Sequence, residues 1–230
     1  WVNGKFSRYA LNTLFLAAVG VCSHVLSNTF IAYGFAKIKF PGRSFLFSLM
    51  LATMMIPGFC TLIPQYIMFA KIGWVGTYLP LTIPGFFGSA FQIFMLRQFY
   101  MGIPKDLIEA AKIDGASYNR MLFQIVLPLS TPVVATVALF YAVGYWESYF
   151  NAMLYISSPG LKPLQLYLYE MITQAQKTLE EMTNVEESMN ISTDSMRSAS
   201  VIAVTIPMLI VYPYLQKYFV KGIIVGSVKG

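Results

Sequence analysis

The side chains with the most chemical capacity fall in two stretches. The first is "YAVGYWESYFNAMLY", residues 141–155, where Glu147 stands inside an apolar run beside Tyr145, Trp146, Tyr149 and Asn151. An ionisable group in such a run is costly and marks a functional site by default. Aromatic rings stack on the C–H faces of a sugar, while amides and acids take its hydroxyls. Tyr145, Trp146, Glu147, Tyr149 and Asn151, with Gln92 as a weaker companion, are therefore candidates for a substrate path. An aromatic belt at a membrane interface is the plainer alternative. Gln92, His24 and Asn28 suit an interhelical hydrogen bond better than a ligand.

The second stretch is "EAAKIDGASYNRMLFQIVLPLSTP", residues 109–132: a short polar segment, a glycine, then two prolines. Bond-making chemistry has no comparable set of residues. The chain has one histidine, His24, and neither a Ser-His-Asp nor a Cys-His arrangement. Its Lys177-Thr178 pair lacks the preceding glycines of a phosphate-binding loop. Cys22 and Cys60 lack metal-ligand spacing and read as buried, reduced thiols. No catalytic residue, metal ligand or bound cofactor is expected of this chain.

The elements that must carry these stretches follow from composition. With 57% hydrophobic and 11% charged residues, the chain is too apolar for a soluble domain with a polar shell. Five segments approach or exceed the ~20 residues that cross a bilayer: roughly 12–36, 44–70, 79–99, 132–156 and 198–218. Without water each must satisfy its own backbone, so the expected fold is an all-α membrane bundle. Pro57, Gly58, Pro64, Pro84, Gly85, Gly88, Gly144, Pro207 and Pro213 predict kinks within it.

Charge orients the bundle. Ten Lys and Arg residues in the 37–43 loop, the 97–120 segment and the tail face six on the other side. The richer side is cytoplasmic by the positive-inside rule. Orientation in a lipid bilayer thus explains the net charge of +6, and no nucleic-acid partner is expected. The 101–131 loop then faces the cytoplasm and the 157–197 loop faces outward. In that outer loop, residues 163–176 read as an amphipathic helix with Leu164, Leu168 and Ile172 on one face, followed by an acidic 178–197 segment.

In the cytoplasmic loop, Ile103-Pro104 pre-sets a helix over Lys105–Ile113. Asp106 and Glu109 sit favourably near its positive end, with Leu107, Ala110 and Ala111 on one face. Gly115 ends it, Ser117 caps a second helix, and Leu127-Pro128 closes that one. Two short helices at a sharp angle result.

The spacing E-A-A, three residues, G, then I-x-L-P closely resembles the cytoplasmic loop of binding-protein-dependent ABC importer permeases. Glu109, Ala110, Ala111 and Gly115 match in place, and Ile125, Leu127 and Pro128 match beyond the glycine; "DGA" from Asp114 is also typical. "AYGFAKIKFPGRSFLF" at 32–47 and the terminal "YFVKGIIVGSVKG" look like the carbohydrate-importing branch, and most like the shorter partner of its maltose-type pairs. The resemblance implies one permease domain over 1–230 with five of six family spans, the first missing. It implies a multi-pass subunit of the bacterial cytoplasmic membrane paired with a homologous permease, two ATPase subunits and an extracytoplasmic solute-binding protein. ATP and magnesium would bind the ATPases. The docking residues carried over are Glu109, Ala110, Ala111, Asp114, Gly115, Leu127 and Pro128, and the tail residues Val228, Lys229 and Gly230 would also reach the ATPases. Sugar permeases often carry Trp followed by Asn and an acid near 146; Glu147-Ser148 stands there instead. A peptide or amino-acid permease, a secondary transporter or channel, and a membrane assembly protein are the rivals.

Overall fold

A computed structural model describes residues 5–181 together with seven helical positions between Ser198 and Pro213. The expected span 198–218, the acidic 178–197 segment beyond Glu181 and the C-terminal tail lie largely or wholly outside the described residues. No strand occurs among the described residues, in keeping with the all-α expectation.

The longest element is α1, Lys5–Lys37, about 50 Å long at 1.5 Å per residue. It is the post against which Leu79–Gly102 and Thr131–Trp146 pack. After a short loop come α2 (Arg43–Ala52) and α3 (Gly58–Lys71). The sequence predicts one span over 44–70; the structure breaks it by 98° between Met55 and Gly58. Pro57 is the cause. It disfavours helix at Ile56, which is extended at φ −86° and ψ 114°. Pro64, by contrast, rides inside α3 without ending it.

The third span runs through α4 (Leu79–Thr82), a 3₁₀ turn at Ile83–Phe87 and α5 (Ala90–Gly102). Pro84, Gly85 and Gly88 account for that turn: Gly88 sits at φ +76°, a conformation that other residues avoid. The 101–131 loop holds α6 (Lys105–Ile113), α7 (Tyr118–Met121) and α8 (Leu127–Leu129). The fourth span is shorter than expected. Its helix α9 covers Thr131–Trp146, and Glu147–Tyr149 separate it from α10, Phe150–Tyr155. Last is α11, Leu164–Glu181, which buries Leu164, Leu166 and Leu168. By length and apolarity the described residues hold two spanning helices, or up to four if each bent pair counts as one.

Two ends are distinct. At one, Lys37 Nζ donates to the Ile103 carbonyl (3.2 Å) and the Tyr33 hydroxyl to the Tyr118 carbonyl (3.1 Å). Arg97 donates to the Phe35 carbonyl and lies 4.0 Å over the Phe47 ring, a cation–π contact. At the other end, Asn12 Nδ2 donates to the carbonyls of Gly160 and Lys162 (3.0 Å each), and the Leu164 amide donates to Thr13 Oγ1 (2.8 Å). The 101–131 loop and the 157–164 segment therefore sit at opposite ends of α1.

The core lies where α1, α5 and α9 meet the loop helices, around Leu96, Tyr100, Met121, Leu122, Val126 and Val137. Cys22 and Cys60 are free, but both lie on the outside of the bundle rather than in its interior. An apolar run marks burial only where the surroundings are water; a lipid-facing surface is apolar too.

α1 and α9 approach closely because Gly20 has no side chain: a Cβ there would collide with the hydroxyl edge of the Tyr145 ring. Gly20→Val should destabilise the bundle by ~1–3 kcal/mol, the usual cost of overpacking. Thermal unfolding of the purified protein reads this, and adding Tyr145→Ala should recover part of the loss.

Candidate functional site: a helical elbow and a polar cavity

The elbow is built by local sequence. Pro104 leads into α6 with Asp106 in the first turn, favourable at a helix N-terminus. The helix ends in a paired closure: Gly115 N donates to Lys112 O (3.0 Å) and Ala116 N to Ala111 O (2.9 Å). This pattern needs a left-handed residue, and Gly115 supplies it at φ +73°. Ser117 Oγ then accepts the Arg120 amide at 3.3 Å and starts α7.

Pro128 does not close the run, contrary to expectation. The chain stays helical through Leu129 by way of a π-helical stretch at Leu122–Val126. The wider turn relieves the clash that the proline ring makes with a carbonyl one turn back. The bend falls two residues later, at Ser130, where α7–α8 and α9 meet at 83°.

The faces of α6 also differ from expectation. Ile108 and Ala111 are buried against the bundle, whereas Leu107, Glu109 and Ala110 point away from it. The Ala110-Ala111 pair is thus split: Ala111 holds the helix to its own chain, and Ala110 is presented outward. Ile113 is an apolar side chain left 87% exposed. Asp114, Arg120 and Gln124 border a hollow of about 220 Å³ in the crook of the elbow.

The cavity lies near the other end of α9. It measures about 300 Å³ and is walled by α1, α3, the Pro80–Gly85 turn, α9 and α10. Its polar lining comes from His24, Gln65, Tyr141, Tyr145, Ser148, Asn151 and Tyr155. Rigid contacts hold the rings. His24 stacks on Tyr141 at 4.0 Å between centroids. Tyr141 accepts from Asn28 Nδ2 (2.8 Å), and Tyr145 donates to the Leu81 carbonyl (2.9 Å). Gly85 leaves room for the His24 ring, which lies 2.9 Å from where a Cβ would stand.

Residues 28–225, most of the chain and all of the elbow, match the family described as "Binding-protein-dependent transport system inner membrane component". The chain is a permease of that family. It is 34% identical over 220 residues to the polygalacturonan/rhamnogalacturonan transport system permease protein YtcP of Bacillus subtilis (strain 168), covering 96% of this chain and 76% of that protein. It is 31% identical over 221 residues to the osmoprotective compounds uptake permease protein GgtD of Synechocystis, covering 95% and 69%. Its fold matches a chain in the crystal structure of a bacterial ABC transporter involved in the import of the acidic polysaccharide alginate. The TM-score there is 0.81 at 28% identity, covering 95% of this permease and 76% of that chain.

Of the side chains that the sequence nominates for a substrate path, the permease brings Tyr145 and Asn151 to the cavity. Trp146 turns the other way and is buried with Tyr9, Leu164 and Leu168, so it anchors α11 instead. Glu147 is exposed in the break after α9, and Tyr149, also exposed, stacks on Tyr169 at 5.0 Å. Gln92 accepts from Ser89 Oγ (2.5 Å) and is not in the lining. A run read as one helix puts neighbours on different faces; the break at 147–149 re-aims them again. Sequence reasoning missed Tyr141, Gln65, Ser148 and Tyr155 and set His24 aside. The one available signal was helical spacing, since Tyr141, Tyr145 and Ser148 lie three to four residues apart. Asn28 does make the interhelical bonds expected of it.

Ser117→Ala should cost ~1 kcal/mol of local stability. Hydrogen exchange at the Arg120 amide should then quicken about five-fold, with little change in α9.

Proposed function

We propose that this permease carries an oligosaccharide across the bacterial cytoplasmic membrane by ATP-driven alternating access. It does so with a homologous permease, two ATPase subunits and an extracytoplasmic solute-binding protein; ATP and magnesium are bound by the ATPases. The observation that carries the coupling half is the elbow, which presents Leu107, Glu109, Ala110 and Ile113 outward on a helix whose end is set by Gly115. A helix with one anchored face and one free, partly apolar face suits a groove on a partner.

The elbow is also tied to the rest of the chain. Movement of α6 is passed to α1 through the Ile103–Lys37 and Tyr118–Tyr33 hydrogen bonds, and to the core through Ile108 and Ala111. Since α1 also walls the cavity, displacement at the cytoplasmic end reaches the path. In this reading Asp114 lines the crook, while Leu127 and Pro128 keep α7–α8 continuous up to the bend.

The carbohydrate half rests on the relatives that move saccharides and on a cavity of rings, hydroxyls and amides. The osmoprotectant permease among the relatives favours a second reading, a small compatible solute, and a panel of both solute types in one uptake assay separates the two.

Gly115→Val should disrupt coupling. A β-branched residue at φ +73° is strained by at least ~1–2 kcal/mol, and the helix end would shift. Uptake by the reconstituted complex should fall ten-fold or more, with ATP hydrolysis no longer stimulated by the loaded binding protein. Normal transport by that variant would overturn the lever.

A further inference from the structure

Among the described residues the polar groups in the cavity wall carry no fixed charge: two phenols whose hydroxyls are placed by Asn28 and Leu81, a third phenol, two amides, one hydroxyl and one titratable imidazole. Among the described residues no carboxylate, lysine or arginine lines it. Two cations toward that end of the molecule are engaged elsewhere. Lys162 is paired with Glu170 (2.6 Å), and the Arg8 guanidinium lies against Gly160. Among the described residues the side-chain amides of Gln65 and Asn151 make no hydrogen bond, and His24 Nδ1 is buried without a partner. Uncommitted neutral donors and acceptors beside fixed aromatic faces suit a pyranose or furanose ring bearing hydroxyls. They do not suit a carboxylate, which away from water needs a counter-charge or several charge-assisted donors. At about 300 Å³ the space is at the small end of ligand pockets, enough for a single ring.

We propose that this cavity is a subsite for one uncharged sugar unit of the passing glycan, and that it selects against a uronate at that position. The proposal deepens the carbohydrate reading and rests on it. It runs against the acidic polymers named for the alginate importer and YtcP, so it comes from the wall of this chain and not from likeness.

The test uses the complete complex with its binding protein in proteoliposomes. The probes are trisaccharide pairs that differ only by a hydroxymethyl or a carboxylate at C6: galactotriose and trigalacturonate, and the glucose and mannose equivalents. The native complex should import at least one neutral member ten-fold or more faster than its uronate. Asn151→Arg, which places a guanidinium in the cavity, should shrink that ratio at least ten-fold. Ser148→Ala and Gln65→Ala are small changes that keep the fold testable if the arginine variant does not assemble. Each should slow neutral uptake by about five-fold through the loss of one hydrogen bond. Uptake of a uronate at a rate equal to its neutral partner overturns the proposal while leaving the carbohydrate reading standing. So does an unchanged ratio in Asn151→Arg, or unaltered uptake in both small variants. Uptake of amino acids or other solutes with no saccharide imported overturns both.

Discussion

Asn28 joins three helices at one buried point. Its amide donates to the Tyr141 hydroxyl on α9, and its carbonyl oxygen accepts the Ser89 amide that opens α5 (2.8 Å each). In a bilayer an unpaired backbone amide is costly, and the break at Gly88 leaves one that α5 cannot serve. One side chain on α1 meets that need and also places Tyr141, which in turn stacks on His24. The approach is possible because Gly88 has no Cβ: one would stand 2.9 Å from Asn28 Oδ1. The cavity, the start of α5 and the packing of α9 on α1 all depend on this point.

The same economy recurs along α1. Gly20 admits the Tyr145 ring, Thr13 and Asn12 hold the 160–164 segment, and Tyr33 and Lys37 hold the loop. Polar groups on one long helix thus bind both ends of the molecule. This gives α1 its place between elbow and cavity, 33 residues of helix with a partner at each end. Each hydrogen bond is modest, ~0.6 kcal/mol on average between membrane helices. Their value is positional: they fix which helix meets which.

Local chemistry made much of the elbow legible. Pro104, Gly115 and Ser117 act on the backbone within one turn, so their effect needs no knowledge of the rest of the chain. Helix α6 accordingly spans Lys105–Ile113 as read from sequence. The inward face was not legible. Whether Ala110 or Ala111 turns inward depends on where the bundle lies, and the bundle lies against Ile108 and Ala111. Pro128 shows the limit of a local rule: a proline that commonly ends a helix is here absorbed by a π turn.

The sequence alone is enough for the class of protein, an apolar helical chain carrying an importer-permease loop motif, because hydropathy, charge bias and helix signals are properties of neighbours in the chain. Tertiary structure decided what faces what. It bent the second apolar run by 98°, moved Cys22 and Cys60 to the outside and sent Trp146 under α11. It also gathered His24, Gln65, Tyr141 and Asn151 from four elements into one wall. In a membrane chain nearly every helix face is apolar, so hydropathy cannot say which face meets protein and which meets lipid. That choice is made by glycines and polar side chains whose partners are far away in sequence.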